Sequence, residues 1–278
     1  MKRKKKYTFK PNRNTFLVLL VIVILIILGI RSCTRFDRSI RGAKYENTNV
    51  NLPQYQIREC RDPEGTPTAD HFKIYPPKEN DKVVYLTFDD GPSPNITPQI
   101  LDILKKYNVK ATFFVVTQNA EKYPDIVKRA AQEGHSIAYH SYSHNYNYIF
   151  ESLDTFREEI NKSRTVLTSI LGENGFVDIF RFPGGAFKNQ KNEFKEVLIE
   201  ENISFVNWNC LTGDTESKNP VSADLITRAK NTAAKAGSDS LVMLMHDAGA
   251  KQASADALPA IIEHLQSKGF RFDSLRRY

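Results

Sequence analysis

The sequence predicts an α/β domain built on parallel strands, either a (β/α) barrel or an open α/β sheet. Two observations carry this expectation. From Lys82 onward, short apolar segments alternate with helical patterns. Polar side chains then fall where the strands end, which is where both architectures form their ligand sites.

Residues 83–88 read as a short apolar strand. Residues 97–107 follow as a helix, with Pro98 at an opening position and Ile100, Leu101 and Leu104 on one face. A strand at 111–116 leads to a helix at 124–133, which stops at Gly134. The strand 135–139 precedes a long helix, 152–171, whose Leu153, Phe156, Ile160, Leu167 and Leu171 share a face. Strand 178–182, helix 189–201, strand 203–208 and a helix within 221–236 come next. Strand 241–246, helix 256–267 and a last strand at 270–272 bring the expected strands to seven. No internal repeat is visible.

Ahead of this domain the chain has a different character. Residues 1–14 hold seven basic side chains (Lys2, Arg3, Lys4, Lys5, Lys6, Lys10, Arg13) and no acid. The chain has 39 basic and 32 acidic residues, so removing those seven leaves 32 against 32. The net charge of +7 is therefore a property of the tail. It is no footprint for nucleic acid, which needs a basic patch on the folded part. Charged residues at 26% and apolar residues at 41% exclude wholesale disorder. Three scattered cysteines, Cys33, Cys60 and Cys210, exclude a disulfide framework or a zinc–thiolate site.

From Asn14 to Ile30 there is no charge, and as a helix this run reaches roughly 25 Å. Residues 15–30 are expected to be a single transmembrane anchor, with Arg13 and Arg31 extending it by snorkelling. A buried core helix would show a polar face, and none exists. A cleaved signal peptide would want small residues where Ile30-Arg31-Ser32 stands, and Arg31 suits a lipidated Cys33 badly. The basic tail places the N-terminus in the cytoplasm and the remainder outside the cell membrane. The same tail could meet anionic lipids at the inner leaflet. Residues 31–80, with Pro53, Pro63, Pro67, Pro76 and Pro77, read as an extracellular stalk, and 81–278 as one domain with a single sizeable core.

The strand ends are polar. The first runs into Asp89-Asp90-Gly91-Pro92, the third into His140-Ser141-Tyr142-Ser143-His144, and the fourth carries Arg181 into Pro183-Gly184-Gly185. The fifth leads toward Asp214, and the sixth delivers His246-Asp247. Singly, each has a bland reading: a turn, a loop histidine, a surface charge, a helix cap. Two histidines separated by three residues suit one metal, but that spacing alone is a weak signal. Five of the seven strand ends carrying such groups, taken together in order, are another matter.

Thr87-Phe88-Asp89-Asp90-Gly91-Pro92 resembles the first motif of the polysaccharide deacetylases, the NodB-homology family (carbohydrate esterase family 4). His140-Ser141-Tyr142-Ser143-His144 is similar to the second, Arg181-Phe182-Pro183-Gly184-Gly185 to the third, and Leu244-Met245-His246-Asp247 to the fifth. The fourth, usually Asp-x-x-Asp-Trp, survives only as Asp214, with Thr215 in place of the Trp. The resemblance spans roughly residues 82–278 and implies a deformed (β/α) barrel of about seven parallel strands.

The resemblance implies Asp90, His140 and His144 as ligands of one divalent metal. Zinc suits two imidazoles and a carboxylate, with cobalt, nickel and manganese as alternatives. It implies Asp89 as the base, Arg181 as the partner that keeps Asp89 ionised, His246 as the acid, and Asp214 as its partner. The Gly184 N–H would meet the oxyanion and Leu244 would line the acetyl pocket. The missing Trp implies a more open pocket, and Trp208, on the preceding strand, is not assigned its role. His135 is expected to be structural and Cys210 a packed thiol, while His71 and His264 have no motif context.

An outward-facing domain of this kind implies a cell-envelope glycan as partner and peptidoglycan N-acetylglucosamine as substrate. Chitin, poly-N-acetylglucosamine and acetylxylan are the enzymatic alternatives. A metal-dependent glycan-binding protein is the non-enzymatic one, although binding alone needs neither Asp89 nor His246.

Overall fold

The computed structural model describes residues 81–276 except 188–189, together with the two-residue strands β1 (Ile57–Arg58) and β2 (Lys73–Ile74), which pair antiparallel. The basic tail 1–14, the anchor 15–30, His71, Cys33, Cys60 and the rest of the stalk 31–80 lie outside the described residues. Among the described residues no helix is long and apolar enough to cross a membrane.

The sheet is built around β3 (Val83–Asp89), every residue of which is buried. Its sequence shows no apolar–polar alternation because both faces are covered. β3 pairs in parallel with β9 (Ser240–His246) along its whole length, from Val83↔Ser240 to Asp89↔His246. On its other edge, β4 (Thr112–Val115) takes the C-terminal half and β10 (Arg271–Asp273) the N-terminal half. β5 (Ser136–Tyr139), β6 (Ile179–Phe180) and β7 (Ser204–Phe205) continue beyond β4, and β8 (Cys210–Leu211) lies beyond β9. The path of seven parallel strands, β7-β6-β5-β4-β3-β9-β8, forms a half-barrel, with β10 added at β3.

All seven expected strands are present; β8 is one more in this sheet, and β1 and β2 fall in the stretch read as a stalk. The expected strand 203–208 is shorter, Ser204–Phe205, because the chain leaves β7 for the opposite end of the sheet. Only residues 206–209 separate β7 from β8, a reach of at most about 17 Å. Asn209 secures the landing on β9, giving its backbone N–H to Val242 O (3.2 Å) and accepting the Val242 N–H (2.8 Å). The half-barrel is thus bridged by chain and not by a ladder.

Period-two alternation sorts the strands into two faces. Val84, Leu86, Phe88, Phe113, Ile137, Phe180 and Met243 enter the larger core beneath the helices. Val83, Tyr85, Phe114, Ala138, Ile179 and Val242 form a smaller inner core. Counting on by twos along the inner face reaches Asp89, His140, Arg181, Leu244 and His246. The apolar part of that face ends where the chemistry begins.

Among the described residues the helices are α1 (Thr97–Lys106), α2 (Thr117–Lys122), α3 (Pro124–Gln132), α4 (Tyr146–Ile149), α5 (Leu153–Leu171), α6 (Asn192–Glu200), α7 (Ser222–Ala236) and α8 (Gln252–Ser267). The short α2 and α4 have too few residues to show a period, and the sequence reading missed both. α5 opens on a capping box between Ser152 and Thr155 and buries Phe156, Ile160, Val166 and Leu167. Leu153, expected on that buried face, is 37% exposed at the helix start.

Candidate active site

The loop after β3 is forced into an unusual path. Asp90 takes φ 76°, a left-handed conformation that costs a non-glycine residue free energy. The neighbouring Gly91 N–H is held by buried Asp247, at 2.9 Å to Oδ1, and Thr97 Oγ1 donates to Oδ2 of the same carboxylate at 2.6 Å. A Cβ on Gly91 would stand 2.0 Å from Asp247 Oδ2, so any side chain there would have to push that carboxylate aside.

The loop after β5 is equally constrained. Ser141 and His144 also have positive φ, 70° and 56°. Buried Glu159 on α5 accepts the N–H groups of Tyr142 (2.8 Å) and Ser143 (2.9 Å), and Ser141 Oγ accepts that of His144 (3.0 Å). His140 donates from Nδ1 to the Arg181 carbonyl (2.8 Å), which leaves the Nε2 lone pair facing the site.

These two loops bring Asp90, His140 and His144 together, with one ligating atom of each within 4.8 Å of the others. His140 Nε2 lies 3.4 Å and His144 Nε2 3.1 Å from Asp90 Oδ1. Tetrahedral bonds of 2.0–2.1 Å would separate two ligand atoms by about 3.3 Å. Asp90 Oδ1 is buried and makes no hydrogen bond, so it is an acceptor waiting for a partner. The trio therefore has the donor set, spacing and charge to hold a divalent cation.

Asp89, next to this trio and on the inner face, receives Arg181 Nη1 at 2.9 Å. Arg181 is fully buried. Its guanidinium also donates to Thr87 Oγ1 (2.6 Å) and to the carbonyls of Val206 (3.3 Å) and Asn207 (3.2 Å), and its carbon lies 4.1 Å from the Phe114 ring centre. Those carbonyls belong to the segment that bridges β7 and β8. Burial pulls the Arg181 pKa down, opposed by Asp89, and a guanidinium stays charged through such a shift.

On the other side of Asp89, His246 gives Nδ1–H to Asp214 Oδ1 (2.8 Å) and its backbone N–H to Asp214 Oδ2 (2.8 Å). Ser254 Oγ adds a third bond to that carboxylate at 2.7 Å. Burial would lower the imidazole pKa, but the hydrogen bond and charge of Asp214 dominate and raise it to about 9. Leu244, two residues back on the same strand face, is buried at 8% exposure. Thr215, beside Asp214, is exposed and does not fill a wall.

Gly184 is exposed after β6 with φ 73°, and Pro183, Gly185 and Ala186 around it are buried. The N–H groups of Gly185 and Ala186 bind Phe182 O (2.7 Å) and Asn207 Oδ1 (3.0 Å). Among the described residues the Gly184 N–H has no partner.

Asp89, Asp90, His140, His144, Arg181, Gly184, Asp214, Leu244 and His246 thus gather at the C-terminal ends of the strands, whereas His135 stands at the start of β5 and His264 on α8. Sequence reading missed Glu159, Asp247, Asn207 and Tyr146. Tyr146 packs 5.3 Å from His144, and burial and the Asp90 and Asp89 charges raise its phenol. Asp247 stood beside His246 in plain view, but its bond to Gly91 spans 156 residues. Glu159 looked like one more polar helix residue. His135 accepts the Ala111 N–H on Nδ1 (3.2 Å), and burial lowers it to about 4, as a packed neutral ring. The Cys210 thiol is buried, which pushes it up to about 12. Trp208 stands edge-on to Phe187 with ring centres 5.0 Å apart.

Comparison with known proteins gives the same direction. The polysaccharide deacetylase family model matches residues 77–198. A peptidoglycan-N-acetylglucosamine deacetylase of Bacillus cereus is 42% identical over 200 residues, covering 70% of this chain and 68% of the relative. The solved structure of a Streptococcus mutans CE4 esterase superposes with TM-score 0.66 at 32% identity, over 71% of this chain and 87% of that one. The Bc1960 peptidoglycan N-acetylglucosamine deacetylase gives TM-score 0.62 at 38% identity, over 70% and 87%. With this similarity in sequence and fold, the chain belongs to the polysaccharide deacetylase family.

Proposed function

We propose that the protein is a metal-dependent deacetylase that hydrolyses the N-acetyl group of N-acetylglucosamine in a cell-envelope glycan, with peptidoglycan as the leading substrate. The observation that carries this reading is the position of Asp89. It stands between the Asp90–His140–His144 trio and His246, and each neighbour has its own anchor.

Asp90, His140 and His144 would hold a divalent ion, which would supply an acidified water and a positive charge beside the amide carbonyl. Zinc fits the two imidazoles and one carboxylate best, and cobalt, nickel or manganese would also be accepted. Asp89 takes the water proton as general base, aimed by its ion pair with Arg181. The Gly184 N–H donates to the oxygen that gains negative charge. His246, kept protonated by Asp214, gives its Nε2 proton to the departing amine. Leu244 offers an apolar surface to the acetyl methyl. Two acid–base groups with opposite environments divide the proton traffic.

The experiment is acetate release from purified peptidoglycan by the full-length protein, with zinc or cobalt added. Chitin, poly-N-acetylglucosamine and acetylxylan run in parallel discriminate the substrate. Acetate from one of these polymers and not from peptidoglycan would move the assignment. No acetate from any of them, with metal bound, would reject the enzyme and leave a glycan-binding protein.

The same reading places the domain outside the cell, tethered by the apolar run 15–30 with the basic tail inside. Support for this comes from the sequence. Protease added to intact cells should remove the domain and leave the tail.

A further inference from the structure

We propose that Lys191 is a positioning residue: its ammonium grips the Pro183 carbonyl and, through that one rigid peptide, aims and strengthens the Gly184 N–H toward the oxyanion. The inference rests on the deacetylase reading above and adds a residue that none of the motifs contains.

Lys191 Nζ donates to Pro183 O at 2.8 Å and to Gly185 O at 2.6 Å. The Pro183 carbonyl and the Gly184 N–H are the two ends of the same planar trans peptide and point in opposite directions. Holding the oxygen from below therefore fixes the direction of the hydrogen above. The other N–H groups of this loop are already spent on Phe182 O and Asn207 Oδ1. Gly184 is left as the exposed one, with its donor unused.

A charged donor on a carbonyl oxygen also draws electron density through the amide, which makes the N–H at the far end a better donor. The ammonium is held in place from its other side. It lies 4.4 Å from the centre of the Phe150 ring and 5.6 Å from that of Phe182. Lys191 itself takes φ 57° at the start of α6 to reach this position. A half-buried lysine is costly, and burial together with nearby Lys195 pulls its pKa down to about 8. A surface lysine with no task would point into water.

The test uses the full-length protein with Lys191→Met and Lys191→Arg. Pro-Gly occurs once in the sequence, at 183–184, so 13C-carbonyl proline with 15N-glycine isolates the Gly184 amide by NMR. In Lys191→Met we expect that amide proton to move upfield, kcat to fall about tenfold or more, KM to stay within about twofold, and zinc affinity to be unchanged. Lys191→Arg, whose fork can still bridge two carbonyls, should recover most of kcat and the amide shift. In Lys191→Met, an unmoved amide resonance or full kcat would overturn the role of Lys191 alone. If Lys191→Met does not fold, Lys191→Arg decides: an amide shift and kcat equal to wild type support the role, and loss of both overturns it. A wild-type protein that binds zinc and releases no acetate would defeat the deacetylase reading, and this inference with it.

Discussion

Asp89 and His246 are register partners on adjacent parallel strands, and the backbone continues the link, with Asp247 N–H donating to Asp89 O at 3.1 Å. The base and the acid of the proposed reaction are therefore set side by side by the ladder itself. Their opposite behaviour comes from what lies beyond each: a fully buried arginine for Asp89, a buried aspartate for His246.

Asp89→Asn should lower kcat by 10²- to 10⁴-fold, the range expected for a lost general base, and leave zinc bound. Acetate release with metal content measured on the same sample separates the two effects. Loss of zinc along with activity would place Asp89 among the ligands instead.

Asp214→Asn should move the alkaline limb of the rate profile to lower pH. The imidazole is raised to about 9 by Asp214 against its burial, so removing that charge lets burial lower it. The same pair contributes to stability. In metal-free protein the raised imidazole contributes fully below its ordinary value of 6.5, and that contribution is lost as pH rises through about 9. Thermal melts of wild type should thus lose more stability than Asp214→Asn between those values.

Chelation should abolish acetate release, and added zinc should restore it. Zinc should also raise the melting temperature, because a ligand at a thousandfold its Kd stabilises by about 4 kcal/mol. His140→Ala should lose both effects.

Gly91→Ala should destabilise the fold by about 1–3 kcal/mol, the range for an overpacked core. The new methyl would collide with Asp247 Oδ2 at 2.0 Å, and Asp90 is the adjacent residue. Denaturant melts report the stability, and zinc titration should show weakened binding in whatever fraction folds.

Much of the site was legible because strand ends are local. The Asp89-Asp90 pair, the His140–His144 spacing, Arg181 and His246 each sit one or two residues from an apolar strand that the sequence marks plainly. The residues that hold them were not legible, because their partners are distant in sequence. Asp247 reaches Gly91 across 156 positions, and Asn207 reaches the Ala186 N–H across 21. The short elements escaped for another reason. Cys210–Leu211 and Tyr146–Ile149 are too brief to show any period.

By itself, the sequence determined the alternation of strands and helices, the order of the chemical groups along the chain and the charge contrast between the tail and the domain. These follow from spacing and side-chain chemistry, which are properties of neighbours. The tertiary structure alone decided that the sheet is a half-barrel bridged by residues 206–209, that Asp90 Oδ1 is buried without a hydrogen bond, and that Lys191 lies beneath the Gly184 peptide. Each depends on groups that meet only after the chain has closed on itself, where burial and planar peptides set directions that no local pattern encodes.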